Sequence, residues 1–254
     1  MKIIINADDL GYSLDTNQAI LSMMSQRRVT SSTLMANGPA FQDAVQHIPD
    51  FSDFSFGIHL TLTEFTALTT PQVFYDTKLI DEKGVFTGKL PRPTPALLKA
   101  IWIEWEQQVA KLLDHGVSIS HFDSHEHIHT IPWLFWNLKK LQKRFNIRRV
   151  RKTINWYYHD WDSRKAVYPS RSLRIKKKGW NWALDNFYQT KTTDYFTDFC
   201  AFINNYKGEK YSQEVAELMC HPGQPYSVEE KKLLISDWIH QFPFKIELIS
   251  YHQL

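Results

Sequence analysis

His121-Phe122-Asp123-Ser124-His125-Glu126-His127-Ile128-His129 places four of the chain's eleven histidines and two carboxylates within nine residues. Neutral imidazole and carboxylate are common protein ligands for divalent metals such as zinc. Val117 to Asp123 reads as a strand, which delivers Asp123 and His125 just beyond its end. His125, His127 and His129 alternate, so an extended backbone would set them on one side. One short segment rarely completes a metal site. The fold is therefore decided by which other segments can meet this one.

Outward from this stretch, strand and helix patterns alternate. Leu98, Ile101, Trp102, Trp105, Val109, Leu112 and Leu113 form a helical stripe, with Gly116 placed to end it. On the other side, Pro132 opens a helix that turns Leu134, Leu138, Leu141 and Phe145 inward. Ile147 to Arg151 is a strand ending at a basic residue. Upstream, Phe54 to Leu62 is a strand that carries His59 near its end, with Glu64 just beyond. Val29 to Met35 is another strand, and Phe41 to His47 a short helix. Ile3-Ile4-Ile5 is a β-branched run typical of a buried strand, and Asn6-Ala7-Asp8-Asp9-Leu10-Gly11 follows at once. Neighbouring side chains on extended backbone face opposite ways. The acidic pair is thus either turn chemistry or, if the strand end turns, one site with two roles; both readings stay open.

Downstream, Thr193 is expected to cap a helix containing Phe196, Phe199, Ile203 and Tyr206. Val215 to Cys220 is a strand, followed by His221-Pro222-Gly223. Ser227-Val228-Glu229-Glu230 reads as a capping box opening a helix to about His240, and Phe244 to Tyr251 is the last strand. Residues 65–95, rich in proline, read as a long loop with room for a small hairpin, of the kind that serves as a lid or binding loop. Residues 152–194 are the least regular and read as an aromatic and basic insertion. Trp156, Tyr157, Tyr158, Trp161, Trp180, Trp182 and Tyr188 interleave there with Arg164, Lys165, Arg171, Arg174 and Lys176 to Lys178. Such a mixture suits single-stranded nucleic acid, stacking on sugar faces, or an insertion that packs its own small core.

Composition narrows the class. With 254 residues, 43% hydrophobic and 22% charged, the chain can bury a large core, and single α/β barrels have this size. A net charge of only +3 argues against a nucleic-acid partner. Two cysteines are too few for a disulfide scaffold and fit a reducing cytoplasm. No apolar run reaches the length of a membrane span. A homodimer is left open.

Each polar residue singled out follows a strand: Asp8 and Asp9, His59, Asp123 and His125, Arg151, His221. In a parallel β/α barrel the strand C-termini converge on one rim, where active sites form. The expected fold is α/β, a distorted parallel (β/α) barrel in a single domain over residues 1–254. One carboxylate and two histidines on that rim would leave positions open for water and substrate. A second carboxylate could take a proton and a histidine could return one, which is a hydrolase design for an amide or ester bond.

Five motifs occur in order: Asn6-Ala7-Asp8-Asp9-Leu10-Gly11-Tyr12-Ser13, Val29-Thr30-Ser31-Ser32, Gly57-Ile58-His59-Leu60, the histidine-rich stretch, and Met219-Cys220-His221-Pro222-Gly223. In this the chain resembles the YdjC-like carbohydrate deacetylases, most of all the chitooligosaccharide deacetylases. The resemblance spans residues 3 to about 223. It implies a distorted β/α barrel and a divalent metal, Mg2+ or Zn2+, held by Asp9, His59 and His125. It also implies Asp8 as general base, His221 as general acid and Arg151 orienting the base. The substrate class implied is an N-acetylated mono- or oligosaccharide, deacetylated by metal-activated water. Asp123, His127, His129 and Glu64 are then candidates to support the ligands or contact substrate, and aromatics from residues 156–188 to line the sugar site. The chain departs from the family at Leu10, Phe122 and Phe65, where phenylalanine, leucine and glycine are usual. Two alternatives remain: a metal-dependent phosphoesterase with a second metal on His127 and His129, or a carbohydrate-binding module without catalysis.

Overall fold

The computed structural model describes residues 1–153, 170–206 and 214–254. Trp156, Tyr157, Tyr158, Trp161, Arg164 and Lys165 lie outside them. Among the described residues eight strands alternate with helices: β1 (Lys2–Leu10), α1 (Leu14–Ser25), β2 (Ser31–Leu34), α2 (Phe41–His47), β3 (Ser55–Leu60), α3 (Gln72–Asp76), α4 (Pro95–Asp114), β4 (Ile119–Ser124), α5 (Phe135–Phe145), β5 (Arg149–Val150), α6 (Arg171–Asn186), β6 (Tyr195–Asp198), α7 (Phe199–Asn205), β7 (Val215–Cys220), α8 (Val228–Ile235) and β8 (Glu247–Leu248). All strand pairs are parallel, in the order β5-β4-β3-β2-β1-β7-β6, with β8 also on β1. This curled sheet with helices around it is the expected distorted β/α barrel. The β5 edge is tied to the segment leading into β6, since Val150 N donates to Lys191 O at 3.1 Å and Lys191 N to Arg148 O at 3.0 Å.

The strands are buried on both faces, as parallel sheets covered by helices require. Helix α4 is capped by Thr94, whose hydroxyl accepts from Leu97 N at 3.2 Å. It buries Leu97, Ile101, Trp105, Val109 and Leu112; of the stripe read from spacing, Leu98 and Trp102 are half-buried and Leu113 is exposed. Inside the barrel, side chains fill the bore. The His121 ring crosses to β3 and lies over Gly57, where an added Cβ would stand 2.6 Å from His121 Nδ1.

Several expectations are corrected. The helix expected from Thr193 is instead β6 followed by α7, with Asp198 capping α7 by accepting from Ala201 N at 2.9 Å. A strand and a helix in immediate succession mimic helical spacing across Phe196, Phe199 and Ile203. The capping box at Ser227 does not form: Ser227 Oγ donates to Gln224 O at 2.8 Å, and Glu230 turns inward to accept from His221 N at 2.6 Å. Residues 65–95 hold the antiparallel bridges Thr66–Val85 and Ile80–Phe86, in keeping with a small hairpin, and also the short helix α3, which was not expected. The last strand is short; Tyr251–Gln253 turn into a 3-10 helix closed by a Ser250–Gln253 capping box.

Gly57→Ala is expected to cost about 1–3 kcal/mol by overpacking, because the His121 ring is enclosed and cannot yield. Urea denaturation of variant and wild type checks this; equal midpoints would show that the bore is loosely filled.

Candidate active site

The rim of the sheet gathers the strand ends. At the end of β1 the pairing with β2 shifts register between Ala7 and Leu10, and Asp9 adopts a left-handed φ of 70°. Regular extended backbone would point Asp8 and Asp9 to opposite faces. The bulge re-aims them, and both are buried among the site's side chains. The acidic pair is therefore a single site made within the strand, not a turn after it.

Asp9 Oδ1 lies 3.3 Å from His59 Nε2 and 3.2 Å from His125 Nδ1. These three residues offer ligand atoms all within 4.8 Å of one another. Gln224 Nε2 donates to the other Asp9 oxygen at 3.0 Å. On its far side, His59 Nδ1 meets Asp123 Oδ1 at 2.8 Å. Thr33 on β2 donates to Asp123 Oδ2 at 3.0 Å. Asp8 is gripped by Arg151, whose two terminal nitrogens donate to its two oxygens, each at 2.6 Å. Arg151 also reaches Asp123 Oδ2 at 2.9 Å and Glu217 Oε1 at 2.7 Å. His221 Nε2 stands 3.9 Å from Asp8 Oδ2. Glu64 Oε2 is 4.0 Å from His125 Nε2, and Tyr12 OH donates to Glu64 Oε1 at 3.5 Å.

Electrostatics follow from burial and pairing. Burial pushes the Asp8 carboxyl up, but the Arg151 charge and hydrogen bonds outweigh it and hold Asp8 well below the usual carboxylate range. Burial also raises Asp9; bonds from His125 and His59 reverse this and leave it low. For His59, burial favours the neutral ring. The charge and hydrogen bond of Asp123, then Asp9 and Asp8, overturn that and raise it to about 10. A ring with carboxylates at both nitrogens holds a proton on each. A divalent cation beside Nε2 would take the place of one of those protons. The donor set, one carboxylate oxygen and two imidazole nitrogens, thus fits a metal such as zinc.

His127 and His129 do not join this group. Glu126 and His127 take left-handed backbone in the 3-10 turns of His125–Thr130. His125 consequently parts from His127 and His129, whose rings lie edge-on to each other at 6.5 Å. The His127 ring packs edge-on against Phe196 at 5.7 Å, and burial pulls it down to about 3. His129 Nδ1 pairs with Ser124 Oγ at 2.5 Å and its Nε2 lies 3.3 Å from Arg151 O. Among the described residues neither falls in a ligand cluster, so these two histidines do not offer the second metal position expected of them. Asp8, His59 and Asp123, and separately Asp198, His221 and Glu230, form two further groups of converging ligand atoms.

A family model described as YdjC-like protein matches residues 2–243. The chain belongs to the YdjC-like family. Relatives named carbohydrate deacetylase include one from Clostridium beijerinckii, 29% identical over 225 residues, covering 88% of this chain and 82% of that protein. Another, from Halalkalibacterium halodurans, is 29% identical over 227 residues, covering 87% and 85%. One from Vibrio cholerae is 36% identical over 149 residues, covering 58% of this chain and 57% of that one. A solved structure from Enterococcus faecalis, provisionally assigned to cellobiose-phosphate cleavage, superposes with a TM-score of 0.70 at 23% identity, covering 99% and 98%. That likeness shows the shared fold.

In this YdjC-like chain, sequence reasoning missed Glu217, Thr33, Gln224 and Tyr251. Glu217 had a signal: it is the one acid in the apolar run Val215-Ala216-Glu217-Leu218-Met219-Cys220, and a charge on a buried strand demands a partner. Gln224 had none, since it reaches Asp9 only through the loop after β7.

Arg151→Met is expected to lose about 3–5 kcal/mol at pH 7, because it strands buried carboxylates; urea denaturation checks it, and a loss under about 1 kcal/mol would contradict that charge balance. For metal-stripped protein the raised His59 contributes stability that is complete below its unfolded pKa of about 6.5. That contribution fades as pH rises through about 10. Denaturation midpoints of chelator-treated wild type should therefore fall over this range, with a flatter profile for His59→Asn.

Proposed function

We propose that this chain is a carbohydrate deacetylase that hydrolyses the N-acetyl group of acetylated sugars, chitooligosaccharides or related mono- and oligosaccharides. The observation that carries the reading is the convergence of Asp9, His59 and His125 beside the Asp8–Arg151 pair and His221 on one rim. The family and the relatives named carbohydrate deacetylase support it.

Asp9, His59 and His125 would hold a divalent cation, Zn2+ or Mg2+. When bound, that ion supplies positive charge to polarise the acetyl carbonyl and to ease deprotonation of water. Asp8 is the acceptor for the proton of the attacking water: Arg151 keeps it ionised and fixes both oxygens. His221, with Nε2 3.9 Å from Asp8 Oδ2, would deliver a proton to the departing amine. Acetate and a free amino sugar result. Glu64, 38% exposed and held by Tyr12, is placed to meet substrate hydroxyls. Asp123 keeps the His59 tautomer that turns Nε2 to the ion.

A single sheet running through the chain supports the one-domain reading, with residues 152–194 as its insertion. Among the described residues no helix is long and apolar enough to cross a membrane. Free, buried Cys200 and Cys220 suit a reducing compartment, and we place the protein in the cytoplasm.

The test is acetate release from a panel of N-acetylated mono- and oligosaccharides, with zinc and magnesium in parallel. Asp8→Asn should keep metal binding and lose turnover by about 10²–10⁴-fold. His59→Ala and His125→Ala should lose both. Full activity in Asp8→Asn would sink the mechanism. Calorimetric titration of zinc into stripped protein at pH 8 should show release of about one proton, as displacement from His59 requires; no proton release would remove His59 from the ligand set.

A further inference from the structure

The hydrogen bonds that hold Asp8 do not stop at Arg151. The guanidinium gives its two terminal nitrogens to Asp8 and its Nε to Glu217 Oε1 at 2.7 Å. The other Glu217 oxygen accepts from the Tyr251 hydroxyl. That phenol belongs to the 3-10 turn after β8, far along the chain from the groups it touches. Tyr251 is fully buried. Its ring lies flat on His121, centroids 3.5 Å apart at 11°. Its backbone N donates to Ser55 Oγ at 3.0 Å, and the preceding Ile249 N donates to Ile3 O at 2.9 Å. Stacking, backbone pairing and cap together fix the hydroxyl at one point in the bore.

We propose that Tyr251 is a positioning residue for the reaction: acting through Glu217, its hydroxyl sets the orientation in which Arg151 presents Asp8. This rests on the deacetylase reading of the rim. The chain of contacts is continuous, every member is buried, and each is over-determined by a second partner, which is how remote groups hold a reacting side chain in place. The groups facing Glu217 are Arg151, Tyr251, Asp123 and Asp8, with His121 stacked behind the phenol. Burial lifts Glu217 to about 7, against the pull of Arg151 and Tyr251. The phenol bond therefore favours the ionised form that Arg151 Nε needs. Without it, Glu217 takes up a proton, Arg151 loses a charged acceptor, and the fork is free to tilt.

Tyr251→Phe keeps the ring on His121 and removes only the hydroxyl. In the full chain with metal, kcat for acetate release from an acetylated chitooligosaccharide should fall about ten-fold with KM within two-fold, the size of a small misalignment. The pH–rate profile should shift as well. Glu217→Gln should show a similar loss, and the double variant should be no worse than the more impaired single one, because both act through Arg151. Multiplying losses, or wild-type kcat and pH profile in a Tyr251→Phe protein that melts like wild type, overturn the proposal. A readout independent of turnover is difference infrared spectroscopy, with the Glu217 band assigned by loss in Glu217→Gln. Tyr251→Phe should raise its protonated carboxyl signal at pH 7, and an unchanged band also overturns the proposal. Absence of acetate release from wild type would instead fail the deacetylase reading, while the infrared result still judges the Tyr251–Glu217–Arg151 link.

Discussion

The buried guanidinium of Arg151 is the interaction on which the site depends. One fully buried cation bonds carboxylates from three strands: Asp8 on β1, Asp123 on β4 and Glu217 on β7. An unpaired charge at such depth would be prohibitive, so these acids can be gathered only because the arginine is there. The planar fork also dictates their placement, since it binds Asp8 with two parallel bonds. With His59 as the second cation, Asp8, Asp9, Asp123 and Glu217 still outnumber the positive groups. The rim is thus electrostatically short of a positive charge where Asp9, His59 and His125 converge, and that shortage is the physical invitation to a divalent ion.

Much of this was legible in the chain. The apolar runs of β1 and β7, the stripe of α4 and the regular placing of polar residues after strands suffice to read a parallel barrel with one reactive rim. Asp8, Asp9, His59, His125, Arg151 and His221 were read from strand ends, and all lie together on that rim. Local backbone defeated other readings. Alternation predicts that His125, His127 and His129 share a side, but left-handed Glu126 and His127 carry the last two rings away from Asp9 and bury His129. The same kind of departure at Asp9 helps instead, turning two adjacent acids to one site. Left-handed backbone at a non-glycine residue costs energy and leaves no mark in a periodicity. β6 was hidden because its four residues run straight into α7 without a turn signal. The partners that support the site were hidden for another reason: Glu217 and Tyr251 acquire their roles from residues that only the closed sheet brings near.

The histidines show how position decides chemistry for one residue type. His59 sits between two carboxylates and is held protonated in the absence of an ion. His121, His127 and His129 are buried near Arg151, and burial with that neighbouring charge keeps them neutral. The neutral rings serve packing and hydrogen bonding, as in the stack of His121 on Tyr251. A histidine count by itself would have pointed to the wrong rings.

The way β8 shares the edge of β1 has a consequence for the order of folding. Lys2 and Ile3 pair with Glu247 and Leu248, and Met1 N donates to Lys245 O, 244 positions away. Asp8 meets Arg151 across 143 positions. Contacts so remote along the chain are slow to form, because loop closure must be overcome before they stabilise anything. During ribosomal synthesis, β1 emerges long before either neighbour on its β7 and β8 side exists. Its acidic end gains its buried cation only when β5, 143 positions along the chain, has docked, so the rim is a product of long-range pairing and not of any one segment.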